Sequence, residues 1–161
     1  ESKYEVKMAE TEAEVDEFYT LLSAHYKNKV KKPLFPKEFF AQILAQKVGE
    51  IMLIKINGKV VSGMLQLSYG NTVYDYYVLG LDTQYPNNYP SVLVYWETIK
   101  RASTHGYTTF DTMGAGTPGQ TYGVRDFKLR FGSHLVENGR FLSINKPLLY
   151  KLGTLAIKLI S

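Results

Sequence analysis

Two turn dipeptides constrain this chain more than any other feature in it. Asn57-Gly58 separates residues 50–56 from 59–68, and Gly70-Asn71 separates that second run from 72–79. Asn-Gly best favours a two-residue hairpin, because both of its positions accept positive φ at little steric cost. The three flanking runs therefore read as antiparallel strands joined in succession. Such a meander needs helices or a second sheet over its apolar faces.

The flanks supply helices. Residues 4–8 alternate as a short first strand, and Thr11 with Glu14 forms a capping box that opens a helix reaching about Lys27. A second helix follows Pro36, with Phe39, Phe40, Ile43 and Leu44 on its buried side. Pro90 starts a helix through Val92, Leu93, Tyr95, Trp96 and Ile99 that stops at Gly106, with Trp96 expected in the core. A strand over 107–112 leads to the glycine-rich turn Gly114-Ala115-Gly116 and then to a short basic helix ending at Gly132. Two short strands are expected around Asn138-Gly139. Asn145-Lys146-Pro147 opens a last amphipathic helix carrying Leu148, Leu149, Leu152, Leu155, Leu159 and Ile160. No repeat or linker divides the chain, so 1–161 reads as a single α/β domain of the α+β kind.

Composition narrows the chemistry. At 161 residues and 45% hydrophobic, the chain buries one sizeable core. It has no cysteine, which excludes disulfides, thiolate metal sites and a cysteine nucleophile. His25, His105 and His134 show no ligand spacing, so no metal is expected. No apolar run is long enough to span a bilayer. The net charge of +4 is uneven: acids at Glu10, Glu12, Glu14, Asp16 and Glu17 precede Lys27, Lys29, Lys31, Lys32 and Lys37. The acids suit a helix start, and the lysines suit either a solvated loop or an anionic partner such as RNA or a membrane surface.

The basic helix carries the strongest functional signal. From Tyr122 or Gly123 onward, Val124, Phe127 and Phe131 fall on one stripe at helical spacing. Arg125 and Lys128 border that stripe, while Asp126 and Arg130 take the i, i+4 spacing of a surface ion pair. A lysine at such a border has a partly dehydrated stem and a charged tip that reaches a cleft. The plain alternative is a solvated amphipathic helix.

The phrase Gly-Ala-Gly-x-Pro-Gly-x-x-Tyr-Gly-Val-Arg-Asp-Phe-Lys-x-x-Phe-Gly, then Asn-Gly-Arg-Phe and Asn-x-Pro-Leu-Leu-Tyr-Lys-Leu-Gly, resembles the C-terminal half of FemA/FemB/FemX-type proteins. These are peptidoglycan-bridge aminoacyltransferases within the GNAT acyltransferase superfamily. The resemblance runs from about Tyr4 to Lys158 and is most specific at Phe127-Lys128. It implies a GNAT fold, a mixed and mostly antiparallel sheet flanked by helices. Its central strands, 72–79 and 107–112, would splay into a cleft. Acetyl-CoA users of that superfamily place a glycine-rich turn before the following helix, where backbone N–H groups hold the pyrophosphate. Residues 83–91, Thr-Gln-Tyr-Pro-Asn-Asn-Tyr-Pro-Ser, contain no glycine.

The resemblance accordingly implies an aminoacyl-tRNA as donor, with no cofactor required and acetyl-CoA as the alternative donor. The partners it implies are a tRNA 3′ end, a peptidoglycan-precursor peptide or other amine as acceptor, and an N-terminal GNAT-like half of a longer chain. Peripheral membrane contact joins that set, and the place implied is the cytoplasm or the inner face of the membrane. By the same resemblance Lys128 is the stabilising cation at the acyl ester or terminal phosphate. Phe127 holds the helix, and Arg125 gives a second phosphate contact with Arg130 alongside.

Asp111 reads either as a proton acceptor that orients the amine or as a turn residue. Tyr122 is the analogue of an acid tyrosine. Gly114, Gly116 and Gly123 either let backbone approach the donor or are plain turn glycines. Tyr76, sharing a face with Tyr74 and opposite to Tyr77, either stacks a base of the donor or packs in the core. The alternatives from other classes are a coenzyme A-dependent N-acetyltransferase of a small amine or sugar, and a non-catalytic half that docks RNA or a partner.

Overall fold

In a computed structural model, residues 3–137, 139 and 141–160 are described. Strand β1 (Glu5–Met8) is followed by α1 (Glu12–His25), a single π-helical turn at Tyr26–Val30, and α2 (Lys37–Ala45). The meander comprises β2 (Gly49–Ile56), β3 (Lys59–Tyr69) and β4 (Thr72–Gly80). Then come α3 (Pro90–Thr104), β5 (Thr109–Asp111), α4 (Gly123–Leu129) and α5 (Pro147–Ile160). The sheet order is β1-β2-β3-β4-β5, antiparallel throughout except for the parallel pair β4–β5.

Local chemistry accounts for the ends of these elements. Asn57 and Gly58 both adopt positive φ, 51° and 74°, the conformation a primed two-residue hairpin demands. The capping box at α1 forms in full: the Thr11 hydroxyl accepts from Glu14 N–H at 3.3 Å, and the Glu14 carboxylate accepts from Thr11 N–H at 3.2 Å.

The sheet is buried on both faces, which is why β2 reads as a nearly continuous apolar run instead of an alternation. On one face α1 and α2 bring Phe18, Leu22, Phe40 and Ile43 against Ile51, Leu53, Leu65 and Leu79. On the other, Val94 and Tyr95 of α3, with Phe127 and Phe131 packed alongside, cover Met52, Ile54, Val61 and Met64. Each such side chain contributes roughly 1.5–3 kcal/mol on burial.

Several expectations are corrected. Trp96 is 54% exposed. The buried stripe of α3 is instead Val94, Tyr95, Glu97, Thr98 and Ala102, and it includes two polar residues that an apolar pattern does not register. Glu97 is tolerated there because Tyr4 Oη donates to it at 2.8 Å and the Lys100 ammonium pairs with it. The strand expected over 107–112 shortens to Thr109–Asp111. No strands form among the described residues between 133 and 146, while Asn138, where one turn was expected, lies outside the described residues.

Tyr76 and Tyr77 face the same side. A bulge shifts the register so that Leu65 pairs with Tyr77 but Gln66 with Asp75, leaving Tyr76 as the extra residue. Tyr76 then packs on Phe39 (ring centroids 6.2 Å apart) and Tyr77 on Phe40 (5.4 Å).

Candidate active site

The site arises where β4 parts from β5, the last strand of the sheet among the described residues. β4 and β5 pair only through Thr72↔Thr109, Val73↔Phe110 and Tyr74↔Asp111. β4 continues to Gly80, but β5 ends, and the chain turns away through Thr112, Met113 and Gly114. From Asp75 onward the outer edge of β4 therefore has no strand beside it among the described residues, and the gap between it and the departing chain is a wedge. This is the splay expected between these two strands.

Lys128 of α4 fills the base of the wedge. It is only 8% exposed. Its ammonium donates to the Thr112 carbonyl and, at 3.3 Å, to the Gly114 carbonyl, and it stands 3.7 Å from the Asp75 carboxylate. The helix is pinned by stacking: Phe127 meets the Tyr95 ring edge-on at 5.1 Å and Phe131 stacks on it at 5.2 Å. Val124, the third member of the expected stripe, is 45% exposed. Lys128, read from sequence as a border residue, is the most buried residue of its helix.

Asp75 and Tyr95 complete the cluster. Tyr95 Oη donates to the Asp75 carboxylate, both side chains lying in the interior. Burial drives the Asp75 carboxyl above the ordinary range, against the opposing pull of the Tyr95 hydrogen bond and the Lys128 charge; nearby Asp111 adds to the rise. Burial, then the Asp75 charge, pushes the Tyr95 phenol upward. On the α1–α2 side of the sheet the Tyr26 phenol is pushed up to about 12, mainly by burial, with Tyr77, Asp75 and Tyr122 adding to it. Neither Asp75 nor Tyr95 was assigned a role from sequence. The available signal was a lone carboxylate inside the otherwise apolar and aromatic run Thr-Val-Tyr-Asp-Tyr-Tyr-Val-Leu-Gly.

The other predicted residues do not all gather at this cluster. Tyr122 is the N-cap residue of α4, near enough to add slightly to the rise of the Tyr95 phenol. Asp111 accepts the Met113 N–H at 2.7 Å in a tight turn that starts the chain's departure from the sheet. Arg125 is a loop staple: its guanidinium donates to the carbonyls of Ala115 (2.7 Å), Gln120 (3.0 Å) and Thr117 (2.7 Å). Three of its five donors are thus engaged before any phosphate arrives.

Gly116 has φ +76°, and a Cβ there would lie 2.7 Å from the Tyr122 ring, so this glycine is what lets the loop fold onto Tyr122. Gly114 lends its carbonyl to Lys128, and Gly123 opens α4 with open space where a Cβ would stand. Arg130 is exposed at the end of α4, and no ion pair with Asp126 forms among the described residues. Tyr76 packs on Phe39 and Tyr77, on the α1–α2 side of the sheet.

The start of α3 tests whether coenzyme A fits. A diphosphate at a helix N-terminus needs free N–H groups and close backbone approach. Here Pro90, the first helical residue, has no N–H, and the residue before it, Tyr89, is held in a left-handed conformation at φ 50°. The Ser91 N–H donates to Asp82 Oδ1 at 3.0 Å, and the Ser91 hydroxyl bonds the same carboxylate. A carboxylate of the chain itself therefore occupies the anion position. The residues present do not fit a diphosphate there.

The GNAT acetyltransferase domain, as a sequence family, matches residues 1–129. No curated protein matches the chain in sequence. Among solved structures, the ribosomal-protein-alanine N-acetyltransferase of Brucella melitensis biovar Abortus 2308 superposes with a TM-score of 0.65 at 9% identity, covering 89% of this chain and 100% of that one. An aminoglycoside acetyltransferase from an uncultured soil metagenomic sample, solved with sisomicin, gives 0.58 at 15% identity over 87% of this chain and 97% of that one. A predicted acetyltransferase from Clostridium acetobutylicum, solved with acetyl-CoA, gives 0.60 at 11% identity over 88% and 96%. At such identities the likeness speaks for the fold, and the family match carries the assignment: this chain belongs to the GNAT acetyltransferase family.

Proposed function

We propose that this domain is the donor side of an N-acyltransferase of the FemA/FemB/FemX type, moving an aminoacyl group from an aminoacyl-tRNA 3′ end to a primary amine of a peptidoglycan-precursor peptide. The observation that carries the choice of donor is the closed start of α3, where Asp82 and Pro90 leave no diphosphate cradle. An acyl ester at the end of a tRNA brings no diphosphate to that position. The Phe127-Lys128 phrase supports the subfamily and the acceptor class.

The reaction joins the amine nitrogen to the acyl carbon and breaks the ester C–O bond, with the departing ribose oxygen receiving a proton. It needs orientation and a cation for the tetrahedral oxyanion. Lys128 supplies that cation, its ammonium fixed by the Thr112 and Gly114 carbonyls at the base of the wedge. Asp75 and Tyr95 are positioning residues, since they hold the lysine side of the cleft and are themselves buried. The free edge of β4 orients an extended substrate, and Tyr122 stands where it can return the proton to the leaving oxygen.

A second reading, transfer of an acetyl group from acetyl-CoA to a small amine, is favoured by the family and by the Clostridium acetobutylicum neighbour that carries acetyl-CoA. Calorimetric titration separates the two. Heat from an aminoacyl-adenosine mimic of the tRNA end, with none from acetyl-CoA, supports the first. Tight acetyl-CoA binding overturns it.

A further inference from the structure

Arg125 and Lys128 stand on the same helix, α4, and bond successive parts of one loop. Lys128 takes the Thr112 and Gly114 carbonyls, and Arg125 takes the next one, Ala115, followed by Thr117 and Gln120. Gly114 and Ala115 are neighbours in the chain, so the two cations pull on adjacent peptide groups. Gly116 and Gly119 hold positive φ, 76° and 75°, a conformation that glycine enters at little steric cost but with much freedom lost on ordering. The backbone offers little to offset that loss. Among the described residues, the stretch 115–120 makes one backbone hydrogen bond, from the Gln120 N–H to the Thr117 carbonyl at 3.3 Å. The three bonds of the Arg125 guanidinium are shorter, and they tie the stretch to the helix.

We propose that Arg125 is a positioning residue for Lys128: its guanidinium holds residues 115–120 so that the Thr112 and Gly114 carbonyls meet the ammonium at the base of the wedge. The residue type agrees. Nε, Nη1 and Nη2 each reach a different carbonyl, a use of the rigid planar fork that the single ammonium of a lysine does not reproduce. A guanidinium kept for a phosphate leaves its fork open, whereas the chain itself closes this one. The consequence for rate rests on the proposed role of Lys128 as the oxyanion cation. Such a cation acts through its fixed place, and a displacement of about 1 Å costs on the order of 10²-fold.

Arg125→Lys is the test variant, because it keeps the charge and loses the fork. In the free protein, nitrogen-15 NMR of the lysine ammonium groups reads Lys128, its signal identified by its loss in Lys128→Met. Exchange of its hydrogens with water should quicken by at least about 10-fold in Arg125→Lys. In transfer from charged tRNA, kcat should fall by about 10²-fold with KM within about 2-fold. In the Lys128→Met background the same substitution should change the rate by less than about 2-fold, since Arg125 acts through the lysine. Circular dichroism shows whether the fold is kept, and Arg125→Gln is read the same way if Arg125→Lys unfolds. Unchanged ammonium exchange overturns the proposal, as does a raised KM at unchanged kcat, the mark of a phosphate contact. So does a full further loss in the Lys128→Met background. If the wild type transfers nothing from charged tRNA while exchange quickens as expected, the acyl-transfer reading fails and the positioning of Lys128 holds.

Discussion

Lys128→Met is the sharpest perturbation of the interior, because it removes a charge while keeping most of the side chain's length. The wild-type ammonium satisfies two backbone carbonyls and faces a carboxylate only 4% exposed. Removing one partner of a buried pair costs about 3–5 kcal/mol when the other stays charged. Asp75 has an escape: burial already raises its carboxyl, and losing Lys128 raises it further, so the carboxyl takes a proton and the cost settles near the lower figure. Asp75→Asn in the Lys128→Met background then removes most of what remains, giving a coupling of about 1–3 kcal/mol between the two positions.

The pH dependence has a definite sign. A carboxyl raised in the folded state binds more protons there than when unfolded, so stability falls as pH rises from the unfolded value through the folded one. Lys128→Met widens that window, and its penalty should be larger at pH 7.5 than at pH 5. Urea unfolding of the wild type, the two single variants and the double variant at both pH values measures all of this. Additivity of the two substitutions within about 0.5 kcal/mol would refute the pairing.

Two further predictions follow from the caps. Asp82→Ala should cost about 1 kcal/mol, through loss of its bonds to the start of α3, and denaturant unfolding reads that change. The Lys7 ammonium, with the Glu10 and Thr11 N–H groups, lowers the Glu14 carboxyl from 4.5 to about 2. A lowered carboxyl stabilises the fold above its unfolded value and loses that contribution as pH falls through its folded one. Glu14→Gln should therefore lower the melting temperature at pH 7, with the difference shrinking between pH 4.5 and 2.

Much of the fold was legible because the signals were local. Asn57-Gly58 specified a hairpin whatever it packed against, and Thr11 with Glu14 carried both halves of a capping box. Lys128 was legible as a charge beside an aromatic stripe. What escaped depended on partners distant in sequence. The bulge at Tyr76 exists only in register with Leu65 and Gln66, and it turned a residue read as facing away from Tyr77 into that ring's neighbour. Trp96 followed an apolar pattern, but the sheet met a face of α3 that includes Glu97 and Thr98. Asp75 stood unremarked in its strand because its meaning comes from Tyr95 and Lys128, 20 and 53 positions away (95 − 75 and 128 − 75). β5 is short for the reason that makes the site: the strands must part for a cleft to exist.

The central claim is that Lys128 stabilises the oxyanion of an acyl transfer, and the rate of amide formation by Lys128→Met in the intact protein tests it most directly. Mass spectrometry of the amine acceptor, supplied with charged tRNA, gives the rate, and Arg130→Ala serves as a control that removes a cation from the same helix without touching the wedge. A fall of about 10²–10³ in kcat for Lys128→Met, with a near-normal rate for Arg130→Ala, is the predicted result. An unchanged rate for Lys128→Met would contradict it.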